Sequence, residues 1–395
     1  MVVALFRGPR SYTGEDVVEV SCHGSPYILQ RTLECFQEIG ARMAEPGEFT
    51  QRAFLNGRMD LTQAEAVAEL IASDSQKSHA LALHQMRGGF SKKIKALRDR
   101  LIHFAGMLEL ELDFGEEDVE FADRHELLQL TTEVQGTIRK LTDSFRLGNV
   151  LKNGVDTVLA GRPNAGKSTL LNALLEEDRA IVSDIAGTTR DTIEATLNIR
   201  GINFRITDTA GIRDARDEIE AIGVERTLDK VKGATILCYV FDVIETQPAE
   251  VAADLEKLAG SGAHLLGIAN KMDLNPYTKP EHYAHPPLLT EANFIPVSAI
   301  NQMNVEYLKE RLYRAVIDED LQMENTVAAN GRHVANLQRA AAALDRVREG
   351  LTMGISSDLV ALDLRDALRQ LGEITGEVST DDLLDKIFRD FCIGK

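Results

Sequence analysis

The sequence has few cysteines and lacks any long apolar run. Its four cysteines are scattered without a C-x-x-C pair, which argues against a disulfide framework or a zinc site and favours a reducing cytoplasm. No run of about 18 apolar residues is present, so we expect no transmembrane helix. The residues after Met1 do not form a signal peptide, because the apolar stretch is too short. These absences predict a cytoplasmic protein.

Positive charge is also scarce. The chain carries 44 Lys and Arg against 62 Asp and Glu, a net charge of −18. Binding along a nucleic-acid backbone needs clustered Lys and Arg, so an RNA substrate would require a local basic patch or a basic partner. The densest basic run, Ser91–Lys95 with Arg98 and Arg100, is interpreted as a solvated helix face.

Residues 161–168 read G-R-P-N-A-G-K-S, which matches the phosphate-binding pattern G-x-x-x-x-G-K-[ST]. The apolar run Val155–Ala160 predicts a strand before it, and Leu170–Leu175 predicts the start of a helix after it. In such a loop the glycines let backbone N–H groups approach phosphates. Lys167 reaches the outer phosphates, and the Ser168 hydroxyl can bind Mg2+.

Three further segments predict that the nucleotide is GTP. Asp208–Gly211 (D-T-A-G) follows an alternating apolar run, and its acidic residue can hold Mg2+ through water. Asn270–Asp273 (N-K-M-D) supplies a carboxylate that can accept from guanine N1–H and the N2 amine, donors that adenine lacks. Ser298–Ala299 can offer a backbone N–H to guanine O6. In this order, the segments resemble those of translation-factor-like GTPases.

The texture of the sequence changes along the chain. Asp16–Ser21 predicts a strand and Ile28–Ile39 a helix, whereas most of 60–150 is predicted to be helical, with a capping-box spacing at Thr62 and Glu65. Strands and helices alternate over the GTPase segment as in a doubly wound sheet. Helical periodicity returns after residue 326. We therefore predict a doubly wound P-loop GTPase domain inserted into a helical domain, with bounds 1–57, 58–153, 154–320 and 321–395.

Other segments are more specific than the general GTPase motifs. They are Thr13–Asp16, His23–Gly24, Pro46–Thr50, Arg52–Asn56, Ser183–Asp191, Thr375–Glu377, Thr380–Leu384 and the ending Phe391–Lys395. Together they resemble the MnmE family, also called TrmE, of tRNA uridine modification GTPases. Family members begin with a further segment that includes a folate-binding arginine. Since this sequence starts after it, residues 1–57 are expected to form only part of an α+β folate-binding and dimerisation domain.

The resemblance also implies how GTP would be hydrolysed. Ile212 follows Gly211 and cannot orient water as the Gln of Ras-type enzymes does. In the family, Asn164 with Ser183, Ile185 and Thr188 would hold K+, which would neutralise developing charge as an arginine finger does. The alternative for Asn164 is a residue that stabilises the turn.

The resemblance assigns the remaining catalytic and metal roles. Glu220 would act as general base through a bridging water, Arg213 would stabilise the second switch, and Lys167 would be the third catalytic residue. Thr189 would join Ser168 on Mg2+. Glu220 could also be an ordinary solvated carboxylate. The predicted GTP-binding residues are Asn164, Ala165, Gly166, Lys167, Ser168, Thr169, Ser183, Asp184, Ile185, Ala186, Gly187, Thr188, Thr189, Asp208, Thr209, Ala210, Gly211, Asn270, Lys271, Asp273, Ser298 and Ala299.

The resemblance further implies one-carbon chemistry on tRNA. Glu19, Arg58 and Lys395 would contact 5-formyl- or methylene-tetrahydrofolate. The chain would form a homodimer and, with the flavoprotein MnmG, a heterotetramer that modifies C5 of the wobble uridine. We find no G-x-G-x-x-G fingerprint with its distant acidic residue, so the flavin would belong to that partner.

Three other functions are alternatives to this one. An Era- or Der-like ribosome-assembly GTPase also carries Asn in the phosphate loop, but it predicts a KH-type module or a second GTPase domain, and neither is found. An iron-transport GTPase needs membrane helices. The third possibility is a chain that only scaffolds a dimer, which GTP turnover in K+ would distinguish.

Overall fold

The computed structural model describes residues 1–113, 124–176, 194–208, 231, 233–317, 330–379, 384, 387–389, 391 and 394. They form two compact units. Unit 1 contains the described residues of 1–74, 78–148 and 323–395, and unit 2 contains those of 75–77 and 149–322.

Unit 1 begins with a small antiparallel sheet and continues as helices. The elements in this part of the chain are β1 (Val2–Phe6), β2 (Val17–Ser21), α1 (Pro26–Glu38), α2 (Glu48–Leu55), α3 (Leu61–Ala72), α4 (Gln76–Met86), α5 (Gly89–Asp113), α6 (Arg124–Asp143) and α7 (Phe145–Asn153). Residues 76–77 of α4 and 149–153 of α7 belong to unit 2. The predicted strand at Asp16–Ser21 and helix at Ile28–Ile39 are found within two residues of these bounds. Within the described parts of the chain, no helix has the length and hydrophobicity needed to cross a bilayer.

Unit 2 is built on a six-stranded sheet with the strand order β4-β5-β3-β6-β7-β8. Its elements are β3 (Val155–Ala160), α8 (Lys167–Glu176), β4 (Glu194–Ile199), β5 (Ile202–Asp208), β6 (Ile236–Asp242), α9 (Pro248–Leu258), β7 (His264–Asn270), the short α10 (Pro280–Tyr283), β8 (Phe294–Pro296) and α11 (Val305–Arg314). Among the described strands of this sheet, β4 and β5 pair antiparallel and the other pairs are parallel. All seven residues of β6 are buried, and because successive side chains point to opposite faces, the sheet is covered on both sides.

The chain returns to unit 1 with α12 (Gly331–Met353) and α13 (Ser357–Thr375). These two helices share one hydrophobic core with α5 and α6, so segments on either side of unit 2 in sequence pack together. Leu101, Val134, Leu344 and Leu371 are typical members, each fully buried or nearly so. The predicted combination of an α/β sheet with a helical unit is confirmed.

The start of α3 corrects one expectation from the sequence. The capping box is formed by Asp60 and Gln63, not by Thr62 and Glu65. Asp60 Oδ1 accepts from the Gln63 N–H at 3.0 Å, and Gln63 Oε1 accepts from the Asp60 N–H at 3.0 Å. The Thr62 hydroxyl donates to the same Asp60 oxygen. Asp60 and Gln63 have the same capping-box spacing as Thr62 and Glu65, two residues earlier in the chain. Glu65 instead contacts Arg332 and His333 in the interior.

Glu65 forms a buried ion-pair cluster that joins three helices of unit 1. Arg332 donates to both carboxylate oxygens at 2.9 Å, and His333 Nε2 lies 2.7 Å from Oε2. The same guanidinium donates to the carbonyls of Glu373 and Ile374 at the end of α13. Burial opposes ionisation of Glu65, yet His333 and Arg332 lower its pKa to about 2.

We predict that Glu65→Gln lowers the free energy of unfolding by about 3 kcal/mol, because it removes the carboxylate that pairs with the half-buried Arg332 guanidinium and contacts the buried His333 ring. Since the folded pKa lies below the unfolded value, the stabilisation is complete above about pH 4.5 and is lost as the pH falls toward 2. Urea unfolding of the wild type should show this loss, and the variant should not. The exposed pair Arg100–Glu133 in the same unit supplies the control, Glu133→Gln, for which the urea midpoint should hardly move. A Glu65→Gln midpoint equal to that of the control would contradict the role of the cluster.

Candidate functional site

The loop between β3 and α8 has two positions at which only glycine fits. Gly161 has φ 144°, and a Cβ there would lie 2.0 Å from the Val240 carbonyl oxygen. Gly166 has φ 90°, and a Cβ there would lie 2.3 Å from Asn270 Nδ2. Both glycines of the phosphate-loop pattern are therefore required by close contacts as well as by conformation. The first turn of α8 follows at once, and its N–H groups and dipole favour an anion.

Lys167 and Asn164 occupy opposite environments in this loop. Lys167 is nearly buried, and its Nζ donates to the carbonyls of Gly161 at 2.6 Å and Arg162 at 2.8 Å. Asn164 is exposed and has the left-handed φ of 63°, which Asn tolerates better than most residues. The structure thus accounts for an Asn at this turn and also leaves its side chain accessible. Ser168 and Thr169 are exposed in the first turn of α8.

Asn270 connects the phosphate loop to the two segments that are predicted to recognise guanine. It ends β7, and its side chain is buried. Its Nδ2 donates to the Ala165 carbonyl at 2.8 Å, and its Oδ1 accepts from the Ala299 N–H at 3.1 Å. β3, β6, β7 and β8 are parallel, so these residues meet at the carboxyl edge of one sheet.

Asp273 is held in position by Ser298. The buried Ser298 hydroxyl donates to Asp273 Oδ1 at 2.6 Å. The Asp273 side chain is exposed, so its carboxylate remains accessible to a ligand. A carboxylate that is fixed at one oxygen and open to solvent suits recognition of two adjacent N–H donors.

Lys271 forms an ion pair that the sequence reasoning missed. Its Nζ lies 2.6 Å from Asp242 Oδ2, and Asp242 is nearly buried at the end of β6. Asp242 Oδ1 accepts from the Ile244 N–H at 2.8 Å. Burial alone would raise the pKa of Asp242, but Lys271 and the backbone donors lower it. The signal in the sequence was an acidic residue closing a wholly apolar strand at the same sheet edge.

Several predicted residues lie outside the described residues. The described backbone places Asp208 opposite Leu159 at the end of β5, beside the phosphate loop. The predicted residues that lie outside the described ones are Ser183, Asp184, Ile185, Ala186, Gly187, Thr188 and Thr189 of the predicted first switch, Thr209, Ala210, Gly211, Ile212, Arg213 and Glu220 of the predicted second switch, and Lys395.

The predicted folate residues are separate from the cavity in unit 1. Glu19 is exposed on β2, and the stem of Arg58 approaches Gly14. Within the described part of unit 1, no hydrogen bond or ion pair joins these two side chains. A cavity of about 300 Å³ is lined by Thr13, Glu15, Asp16, Val17, Val18, Arg42, Ala44, Glu48, Phe49 and Arg52.

The polar wall of that cavity is a network of ion pairs. Hydrogen bonds from Arg42 and Arg52 lower the pKa of Glu48 to about 2, although partial burial opposes this. Arg52 also bonds Glu15 at 2.9 Å. Both arginines of the cavity are therefore already paired with carboxylates.

Comparison with known proteins agrees with this arrangement. Residues 61–392 match the family model of the MnmE helical domain, and residues 1–58 match that of the GTP-binding protein TrmE N-terminus. A tRNA modification GTPase MnmE of Cytophaga hutchinsonii is 53% identical over 395 residues, which is 100% of this chain and 85% of the relative. One of Flavobacterium johnsoniae is 48% identical over 399 residues, covering 100% of this chain and 86% of the relative.

Among solved structures, Era of Aquifex aeolicus bound to GDP and AlF4− is 24% identical with a TM-score of 0.33, covering 48% of this chain and 66% of that one. The family models and the curated relatives carry the assignment, since they account for both units at high identity. The chain therefore belongs to the MnmE family of tRNA modification GTPases.

Proposed function

We propose that this protein binds GTP at the carboxyl edge of the unit 2 sheet, hydrolyses it to GDP and phosphate, and acts in the modification of tRNA. The observation that carries the GTP site is the pair of hydrogen bonds from Asn270, which joins the phosphate loop to the Ser298–Ala299 segment. Membership of the family supports the role in tRNA modification. The match of residues 61–392 to a helical domain model specific to MnmE favours this function over an Era- or Der-like one.

Guanine specificity would come from Asp273. Its carboxylate would accept from guanine N1–H and the N2 amine, while Ser298 keeps one carboxylate oxygen oriented. The Ala299 backbone is held near Asp273, because its N–H donates to Asn270 Oδ1 in the same N-K-M-D segment. Adenine presents no matching donors, and a site built around a hydrogen-bonding carboxylate discriminates strongly against it.

The phosphate end fits a Mg2+-bound triphosphate. Ser168 presents an exposed hydroxyl in the first turn of α8, and the glycine cradle would be filled by any Cβ. We propose that Ser168 and Thr189 hold Mg2+, which would neutralise charge on the phosphates when bound. Lys167, which hydrogen-bonds loop carbonyls in this structure, would turn its ammonium group toward the phosphates.

K+ is proposed as a second cation. Asn164 is an exposed amide within the loop, which fits a ligand oxygen, and Ser183, Ile185 and Thr188 would complete the site. Glu220 would position the attacking water and Arg213 would stabilise the second switch. A homodimer in which two GTPase domains face each other would order the first switch.

The remaining partners are proposed from the family resemblance. We propose that tRNA is modified at C5 of its wobble uridine together with the flavoprotein MnmG, in the cytoplasm. The one-carbon unit would come from 5-formyl- or methylene-tetrahydrofolate held by Glu19, Arg58 and Lys395. The match of residues 1–58 to the TrmE N-terminus supports this domain assignment. A basic partner would also bring the positive surface that a chain of net charge −18 needs for RNA.

Asp273→Asn is expected to weaken GTP binding by about a hundredfold, because two hydrogen bonds to a charged acceptor are lost. The same change should improve xanthosine triphosphate binding, since an amide can donate to the xanthine carbonyl. Calorimetric titration of both nucleotides checks this. Asp156→Asn is the matched control in the same unit, because Asp156 pairs with Arg205 at the other end of β3. Wild-type affinity for GTP in Asp273→Asn would contradict the assignment.

Asn164→Gly separates the two roles of Asn164. Glycine keeps the left-handed backbone, so a turn role predicts normal hydrolysis with full K+ stimulation. A cation-ligand role predicts that hydrolysis in K+ falls to the rate measured in Na+, while GDP affinity is kept. We expect the second result from steady-state phosphate release in the two salts. Equal wild-type rates in K+ and Na+ would also refute the K+ site.

Cells that lack the protein should lose the modified wobble uridine nucleoside in mass spectrometry of tRNA hydrolysates. Re-expression of the wild type should restore it, and Lys167→Ala should not, because the phosphate contact is lost. Unchanged nucleosides in the deletion strain would overturn the role in tRNA modification.

A further inference from the structure

Arg162, the second residue of the phosphate loop, is held from outside the loop by two carboxylates of α9. Its Nε donates to Asp254 Oδ2 at 2.8 Å, and its Nη1 donates to Glu250. The three side chains are 39%, 20% and 41% exposed for Arg162, Asp254 and Glu250, so the cluster is partly shielded from solvent. No motif assigns a role to Arg162, which occupies a variable position of the loop pattern.

The carboxylates are themselves fixed. The Tyr239 hydroxyl, on the buried strand β6, donates to Asp254 Oδ2 at 2.8 Å. Glu250 Oε2 accepts from the Gln247 N–H as part of the capping box that starts α9. Burial opposes ionisation of Asp254, but hydrogen bonds from Arg162 and Tyr239 lower its pKa, so it stays charged.

The backbone of the same residue faces the phosphate-binding side. The Arg162 carbonyl accepts from Lys167 Nζ at 2.8 Å and from the Ala165 N–H at 3.3 Å. On its other side, Gly161 is pressed against the Val240 carbonyl. The first turn of the loop is thus held by the Arg162 side chain on one side and by the Arg162 carbonyl on the other.

We propose that Arg162 is a positioning residue for GTP: the Glu250–Asp254 pair holds its guanidinium, and this preorganises the first turn of the phosphate loop. The inference rests on the proposed GTP site. A loop that is ordered beforehand does not lose conformational entropy when the nucleotide binds, so the gain appears as affinity.

A simpler role for Arg162 would be direct attraction of the phosphates by its positive charge. The two roles predict opposite effects when the carboxylates are removed. Deleting two negative charges beside an anionic ligand strengthens binding if Arg162 acts only by charge. It weakens binding if the carboxylates hold the loop through Arg162.

Lysine cannot replace arginine in this arrangement. The planar guanidinium donates in two directions at once and therefore bridges Glu250 and Asp254. A lysine keeps the charge but offers a single ammonium centre. Arg162→Lys should therefore behave nearer to Arg162→Ala than to the wild type.

The test is titration of GDP into the full chain and five variants, with melting temperatures measured in parallel. The variants are Arg162→Ala, Arg162→Lys, the double change Glu250→Ala with Asp254→Ala, the triple combination, and Arg205→Ala as a matched control from the exposed Arg205–Asp156 pair. We expect Arg162→Ala and the double variant each to weaken GDP binding about tenfold, as for a lost charged hydrogen-bond pair. The triple variant should be no weaker than either.

Hydrolysis rates separate positioning from a purely structural role. In the variants, the KM for GTP should rise in parallel with the dissociation constant for GDP. The kcat should change less than about twofold, because a loop that is no longer ordered beforehand becomes ordered when the nucleotide binds, before the chemical step. Arg205→Ala should leave both unchanged. If Arg162→Ala has a lowered melting temperature, the double variant, which keeps Arg162, still tests whether Glu250 and Asp254 hold the loop.

Tighter GDP binding by the double variant, or wild-type affinity in Arg162→Ala, would overturn the inference. Either result would leave the proposed function intact, provided that the wild type binds GDP. A wild type that binds neither GDP nor GTP would instead refute the proposed function, and with it the positioning role of Arg162.

Discussion

The site depends on one buried amide, the side chain of Asn270. This side chain bridges the phosphate loop and the Ser298–Ala299 segment. Its Nδ2 donates to the Ala165 carbonyl, and its Oδ1 accepts from the Ala299 N–H. An amide suits this position because it carries both functions at fixed geometry. Gly166 is required beside it, since a Cβ there would collide with Asn270 Nδ2. The pattern of the phosphate loop and the N-K-x-D pattern therefore constrain one another physically.

The parallel sheet makes this contact possible. β3, β6, β7 and β8 end at the same edge, so residues separated by about a hundred positions in sequence lie within hydrogen-bond distance. Two partly buried ion pairs stiffen that edge: Lys271 with Asp242, and Arg162 with the carboxylates of α9. The Lys271–Asp242 pair gains more than a surface pair because Asp242 is nearly buried and solvent screens it less.

Local patterns predicted much of this. The strand Val155–Ala160 and the two loop glycines are short-range features, and the structure contains both. Long-range pairs were not predicted. Glu65 with Arg332 is separated by 267 residues and Arg162 with Glu250 by 88, and nothing in hydrophobic periodicity marks such partners.

The misassigned cap at α3 has the same origin. Asp60 with Gln63 and Thr62 with Glu65 have the same spacing, so the sequence does not distinguish them. The structure shows that Asp60 and Gln63 form the cap and that Glu65 is buried. The roles of Glu220, Arg213 and the first switch rest on family resemblance alone, because those residues lie outside the described ones.

The most direct test of this account is the affinity of Asn270→Ala for GDP, measured by calorimetry beside the wild type. Asn270 is buried beneath the loop, so the change removes two hydrogen bonds and leaves the Ala165 carbonyl and the Ala299 N–H unsatisfied. The account predicts at least about tenfold weaker binding with the sheet still folded by circular dichroism. Unchanged GDP affinity in a folded Asn270→Ala protein would contradict it.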